Sequence, residues 1–365
     1  MTIINRSIFG RKVAAAVAGG PSARLLVLGH SHVAGQGSGS SGGLIGAALT
    51  GFVEKLTTSF ARYSLTAQRT GWMGEYNTSI DGTNINTFDT RVGFGVGWAS
   101  HPSNNVLGGR HIWQPGTTPG KGYLTYQPGF SFNGLNIWYP LSPGLSANVG
   151  VYLDNTLYTS LNQNGSSNAL VGTNLSIGAS RSLLTVKENG GVGPAFWNGV
   201  EFIPVTLPNI AITVAGGRGQ TSTMFADGST PWSPLAGLAA FTADLVVLYV
   251  MTNDLLTNGL VSAFKRNLWS LAVTSVVRGN CIIVVDPPAT GADAFINGTY
   301  EVYAESAKSV ASQLGCGFAD TREIFSRSWD RANADGLMNS AAHPDDTGHA
   351  YIADMIAAQA MKFIN

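Results

Sequence analysis

The chain has 365 residues, enough for two domains and a sizeable core, and its formal charge is zero with only 12% charged residues, against roughly 25% in an average soluble protein. Balanced charge without a basic block gives no support to binding nucleic acid or an anionic membrane surface, and no stretch approaches the ~20 apolar residues of a membrane span. The two cysteines, Cys281 and Cys316, are too few for a disulfide scaffold or a Cys-based zinc site, and each opens a predicted strand, as a buried free thiol does.

The remaining composition favours β-structure with polar, uncharged surfaces, of the kind that often meets sugars: 46 glycines, many Asn, Ser and Thr, and 10% aromatics. Residues 1–23, "MTIINRSIFGRKVAAAVAGGPSA", faintly resemble a secretion signal. The apolar run "VAAAVAGG" is short and weakly hydrophobic, so an N-terminal arm or short helix is expected, with no clear signal peptide.

Residues 24–29 predict a buried strand, because Leu25 to Leu28 is a continuous apolar run stopped by Gly29. A glycine- and serine-rich loop follows, and then "LIGAALTGFVEKLTTSFARY" has helical spacing. Residues 76–208 break the rhythm. They hold short alternating segments such as "KGYLTYQP", "GLNIWYP", "VGVYLDNTLYTSL" and "GVEFIPVTL", separated by Gly-, Pro- and Asn-rich turns, which is the signature of an antiparallel β-sandwich. After the strand "NIAITV", strands at 244–251 ("DLVVLYVM"), 281–285 ("CIIVV") and "CGFAD" alternate with helices over "NGLVSAFKRNLWSLAVTSVV", "GTYEVYAESAKSVASQLG" and "DDTGHAYIADMIAAQAMKFI". This alternation predicts an α/β fold with a parallel sheet between two helical layers, formed from 24–75 and 209–365 and interrupted by the β insert at 76–208.

Four segments fall at ends of predicted strands, where sites form in open parallel sheets. They are "GHSHVAG" (29–35), "VAGGRGQTS" (214–222), "MTND" (251–254) and "HPDDTGHAYIAD" (343–354). The first raises two readings. Ser31 is a nucleophile, or His30 and His32 are metal ligands, since His-x-His at a strand end is a ligand pattern of metal-dependent amidohydrolases. With six histidines and no barrel of eight βα units to be drawn through the insert, the serine reading is preferred, and His32 lines the site or makes a local hydrogen bond. The bland reading is taken for Asp254 and Asp286, as structural residues, and for His349, on the surface of the last helix or packed locally.

Taken in order, the four segments resemble the blocks of the SGNH (GDSL-type) hydrolase superfamily. That resemblance implies a three-layer α/β/α, flavodoxin-like fold and a serine esterase. Ser31 would be the nucleophile and His343 the general base. The backbone N–H groups of Ser31 and Gly219 and the side-chain amide of Asn253 would form the oxyanion hole, and no cofactor or metal would be required.

The chain also departs from the family pattern. His30 replaces the Asp of the first block, and Met251 replaces the Gly of the third, where it is expected to crowd the pocket floor. Ser340 stands three residues before His343, where the family has its orienting acid. Asp335 is the candidate acid if the intervening residues loop out; otherwise Ser340 or a backbone carbonyl orients His343 in a Ser–His dyad. His30, His32, Met251 and Ser340 are therefore expected to line the site.

The insert resembles the jelly-roll domains beside esterases that act on sugar coats. The expected reaction is removal of O-acetyl groups from a polysaccharide or cell-surface glycan through an acyl-serine intermediate. One to two of Trp98, Trp113, Trp138 and Trp197 are candidates for a sugar platform. Similar architectures occur in bacterial extracellular esterases and phage tail proteins, which leaves open self-association, or attachment to a larger assembly such as a virion tail, and an extracellular or virion-associated setting. The rival reading is a non-catalytic glycan-binding or structural protein that keeps the fold.

Overall fold

A computed structural model describes residues 7–364, apart from 40–44, 77–84, 96, 116–121, 192 and 291–292. Nine strands form one sheet. In chain order they are β1 (Ala23–Gly29), β2 (Ala67–Met73), β3 (Phe132–Leu141), β4 (Ala169–Arg181), β5 (Gly199–Pro204), β6 (Ile210–Gly216), β7 (Leu245–Tyr249), β8 (Asn280–Val285) and β9 (Gly317–Asp320). Their order across the sheet is β4-β3-β5-β2-β6-β1-β7-β8-β9. The run from β2 to β9 is parallel throughout. β1 lies at its centre, so the end of β1 is the switch point at which chain order reverses, the place where such sheets carry sites.

Helices cover both faces. The alternation of β1 sends Leu25 and Val27 to one side, among Phe52, Leu56, Phe60, Ile352 and Ile356. It sends Leu26 and Leu28 to the other, among Phe264, Leu268, Leu271, Tyr303 and Ala307. The helices concerned are α1 (Ile8–Val17), α2 (Phe52–Ala61), α3 (Val261–Val276), α4 (Asp293–Leu314) and α5 (Asp346–Ile364), with α1, α2 and α5 packed together on the first face and α3 and α4 paired on the second. Within the first 23 residues, α1 is capped by Ser7, whose hydroxyl also donates to Phe363 O at 2.6 Å, so the helix docks on the end of α5.

The helix predicted over 44–63 is shorter. Residue 44 lies outside the described residues, Ala47–Leu49 forms a single 3₁₀ turn, and α2 starts only at Phe52. Gly51 separates the two because it packs against Gly35: a Cβ there would come 2.6 Å from the Gly35 Cα. The backbone must pass the nucleophile loop at that point, and the glycine lets it do so.

The insert is built from antiparallel strands, as its turn spacing predicts, but it does not stand apart. β3, β4 and β5 continue the main sheet, and β5 pairs antiparallel with β2 through Gly199–Met73. The other insert strands make a five-stranded sheet (92–94, 124–126, 148–153, 156–162 and 184–188) and a three-stranded one (99–106, 109–114 and 195–197). One apolar core joins Trp72 of β2 to Tyr126, Trp197 and Phe202 of the insert. Strand β2, "AQRTGWM", carries no apolar alternation and was not predicted. It is buried because Arg69 pairs with Asp89 at 2.9 Å and Trp72 Nε1 donates to the same carboxylate at 2.7 Å. Despite burial, Arg69 and Arg91 hold the Asp89 pKa down to about 2.

Candidate active site

Ser31 follows β1 directly. The chain turns at once, with Val33 N donating to His30 O and Gly35 N to His32 O, both at 3.0 Å. Gly29 is required where it stands, since a Cβ would lie 2.2 Å from Tyr249 O. Gly35 and Gly37 have positive φ. At Gly37 the absent Cβ leaves room for the loop that carries His343: it would lie 2.3 Å from Pro344 O and 2.6 Å from the His343 Cβ. The "small-residue" loop of the sequence is thus the surface on which the base-bearing segment rests.

His343 reaches back across the molecule to Ser31, its Nε2 2.9 Å from Ser31 Oγ. The other ring nitrogen, Nδ1, lies 3.0 Å from Ser340 Oγ. Asp335 is elsewhere: its carboxylate accepts from Arg331 Nε at 3.0 Å, one helical turn back at the protein surface. The segment does not loop out to bring Asp335 inward, because Ser340 N and Asn339 N both donate to His343 O and tighten the turn. The residue at the orienting position is therefore Ser340. Burial, together with the neighbouring His32, His30, His349 and Arg218, pushes the His343 pKa down to about 2, so the ring is neutral and able to accept a proton.

The other two segments converge beside this pair. Gly217 N donates to Gly29 O at 2.7 Å and Arg218 N to Tyr76 O at 2.9 Å, which fixes the loop after β6. Gly219 takes φ +77° and is exposed, and Asn253 Nδ2 donates to Gln220 O at 2.7 Å. Among the described residues no protein acceptor takes the N–H of Ser31 or of Gly219. Asp254 is structural, as read: it accepts from both the backbone and the hydroxyl of Ser222.

Three of the residues expected to line the site lie behind it instead. Met251 is 1% exposed and packs in the apolar core on the α3/α4 side, so it does not crowd the pocket floor. His30 and His32 are wholly buried. Both face Asp286, a residue read as bland from sequence. His30 Nε2 is 2.9 Å and His32 Nδ1 3.2 Å from its Oδ1, while Oδ2 accepts from Met251 N and Thr252 N at 2.9 and 2.8 Å. Against the effect of burial, the neighbouring His30 and His32 hold the Asp286 pKa well below the usual carboxylate range.

Among the described residues, His30, His32 and Asp286 are the one trio with metal-ligating atoms close together, within 4.8 Å of one another. His30 bonds Asp286, whose other oxygen accepts from backbone N–H groups, and His32 Nε2 donates to Ala342 O at 2.7 Å. Complete burial leaves no face open to substrate, so the trio fits poorly as a catalytic metal centre. His349 is not on the surface: its Nδ1 accepts from Phe52 N and its Nε2 donates to Gln36 O, tying α5 to α2 and the nucleophile loop.

A central parallel sheet, a serine at its switch point and a histidine bonded to that serine from just before the last helix form the arrangement expected of a serine hydrolase of the SGNH type. Residues 193–351, somewhat under half of the chain, match the model of the GDSL-like Lipase/Acylhydrolase family, and this match together with the site supports an ester-hydrolysing enzyme. No curated protein matches the chain in sequence. Among solved structures, a peptidoglycan O-acetylesterase aligns over 98% of this chain and 96% of its own, with a TM-score of 0.70 at 17% identity. That likeness extends through the insert and concerns the fold. A catalytic mutant of an acetylxylan esterase from Geobacillus stearothermophilus aligns over 42% of this chain and 73% of its own, at 17% identity and a TM-score of 0.36.

Proposed function

We propose that the protein removes O-acetyl groups from a polysaccharide through an acetyl-Ser31 intermediate. The observation that carries this reading is the bond between Ser31 Oγ and a neutral His343 Nε2. A serine hydroxyl is a weak nucleophile until a base takes its proton. His343 accepts that proton as Oγ attacks the acetyl carbonyl. The oxyanion is met by the N–H groups of Ser31 and Gly219 and the free hydrogen of the Asn253 amide, each such donor typically worth about 3 kcal/mol. The imidazolium then protonates the departing sugar oxygen. Water, deprotonated by the same ring, releases acetate and restores Ser31.

Ser340 takes the place of the acid. Its hydroxyl accepts from His343 Nδ1–H and so fixes the tautomer that leaves Nε2 facing Ser31. It carries no charge to offset the imidazolium. The glycan assignment is supported by the full-length likeness, insert included, to an enzyme that de-acetylates peptidoglycan. The test is release of acetate from O-acetylated polysaccharides, beside hydrolysis of a small aryl acetate, by the protein and by Ser31→Ala. Ser31-dependent acetate release is the expected result. Hydrolysis that survives in Ser31→Ala would overturn the proposal.

A further inference from the structure

An enzyme of this type usually holds its histidine with a carboxylate, and here the ring nitrogen facing away from Ser31 meets a hydroxyl on an exposed residue, Ser340. Something else must keep His343 in line, and the contacts behind the site show what does. His32, the residue after the nucleophile, directs Nε2 at Ala342 O at 2.7 Å. A carbonyl only accepts, so Nε2 carries the hydrogen. Nδ1 then faces the Tyr249 hydroxyl at 3.3 Å and Asp286 Oδ1 at 3.2 Å. The His32 ring also stands edge-on to that of His343, with centroids 5.3 Å apart. One dipeptide, Ser31–His32, thus carries both the nucleophile and a clamp on the peptide that leads into the base.

The clamp is itself anchored. Asp286, at the end of β8, meets the residues on both sides of the nucleophile and the turn before Asn253. It bonds His30 on one side of the nucleophile and faces His32 on the other. Through Oδ2 it also binds Met251 N and Thr252 N, the turn that presents Asn253. Its main-chain oxygen accepts from Tyr300 of α4 at 2.6 Å, which fixes the strand end. Catalytic geometry must be held within a fraction of an ångström, and misplacement by about 1 Å can cost about a hundredfold in rate.

We infer that Asp286 and His32 are positioning residues for the reaction. Together they register nucleophile, base and oxyanion turn through the Ala342 carbonyl and the 251–252 backbone. The inference rests on the proposed Ser31–His343 chemistry and adds to it the residues that align the pair. Neither residue touches substrate.

The experiment compares His32→Leu, His32→Gln and Asp286→Asn with the unaltered chain on an aryl acetate, measuring kcat, KM, Tm and the rate of Ser31 labelling by a small fluorophosphonate. His32→Leu should lower kcat and the labelling rate about tenfold or more with KM within about twofold. His32→Gln should recover much of the loss, because its amide can donate to Ala342 O. Asp286→Asn should fall at least as far as His32→Leu. If Asp286→Asn does not fold, the two His32 variants decide the matter alone. Unchanged kcat in His32→Leu overturns the inference. So does an equal loss in the Leu and Gln variants that follows Tm, since that marks a merely structural role. No Ser31-dependent hydrolysis or labelling in the unaltered chain sinks the proposed function and this inference with it, whereas normal activity untouched by His32→Leu sinks the inference alone.

Discussion

Ser31 Oγ and His343 Nε2 lie 2.9 Å apart although 312 residues separate them in the chain. The contact exists because β1 ends at the middle of the sheet while α5 begins beside the same edge, and the glycines at 35 and 37 let the two loops meet. Removing either partner breaks the chemistry without disturbing the core. Ser31→Ala and His343→Ala should each lower kcat on an aryl acetate by at least about a thousandfold while the melting temperature stays within a few degrees. Residual activity above about a tenth in either variant would refute the assignment.

Ser340 offers a test of what a charge adds. Ser340→Ala removes the acceptor for Nδ1–H and should reduce kcat by about tenfold to a hundredfold, with little change in KM. Ser340→Asp places a carboxylate against the same nitrogen, where it offsets the imidazolium, and should raise kcat above that of Ser340→Ala. Asp335→Asn should leave kcat unchanged, because that carboxylate is engaged with Arg331 at the surface. A kinetic defect in Asp335→Asn, with Ser340→Ala indistinguishable from the unaltered chain, would reverse the assignment.

The low pKa of His343, about 2, gives a pH signature. The neutral ring is the active form, so lowering the pKa extends activity toward acid. kcat/KM should be nearly flat from pH 8 down to about 5, where a base titrating near its ordinary value of ~6.5 would already have lost most of its activity. In Ser340→Asp the new carboxylate raises the pKa, and the acid limb should move upward. A limb near pH 6.5 in the unaltered chain would contradict the burial argument.

Stability should show the opposite demand. Burial depresses His343 to about 2 and His111 and His349 to about 3, whereas the unfolded chain titrates near 6.5. Below about pH 6.5 the unfolded state therefore binds protons that the native state does not. Stability contributed by the neutral rings is present above that pH and declines as pH falls toward 3. Asp286 adds a loss of the same sign below about pH 4, since its folded pKa is also depressed. Thermal melts from pH 7.5 to 5 should show a falling Tm, and His111→Gln should flatten the slope. A Tm independent of pH over that range would count against it.

Chelation separates the serine route from a metal route through His30 and His32. Activity on aryl acetate should be unchanged after exhaustive dialysis against a strong chelator, because the ligating atoms of that trio are bonded within the protein and closed to substrate. Loss on chelation and recovery with added zinc would restore the metal reading.

The local pattern of the chain was enough to place the α/β layers and the ends of their strands. Apolar runs such as Leu25–Leu28 and Ile282–Val285 can be buried in only a few ways, and a glycine after such a run stops it. Ser31, Gly219, Asn253 and His343 were singled out by the resemblance of their four segments to the SGNH blocks, and the tertiary structure brings Ser31 and His343 into contact. What stayed hidden depends on pairing between distant segments. β2 carries no apolar pattern because its burial is sustained by Arg69 and Asp89, and no periodicity reveals an ion pair. The three insert strands that extend the sheet look, in sequence, like any other antiparallel strands. Asp335, Ser340 and a backbone carbonyl were all open as partners for His343 until the backbone bonds to His343 O set the turn. Asp286 is one aspartate after one strand, and only the meeting of four chain segments around it gives its carboxylate a role. Sequence determines which residues can form elements and carry chemistry, because those properties are local; which of them meet is decided by the tertiary structure, because hydrogen bonding and burial act across space.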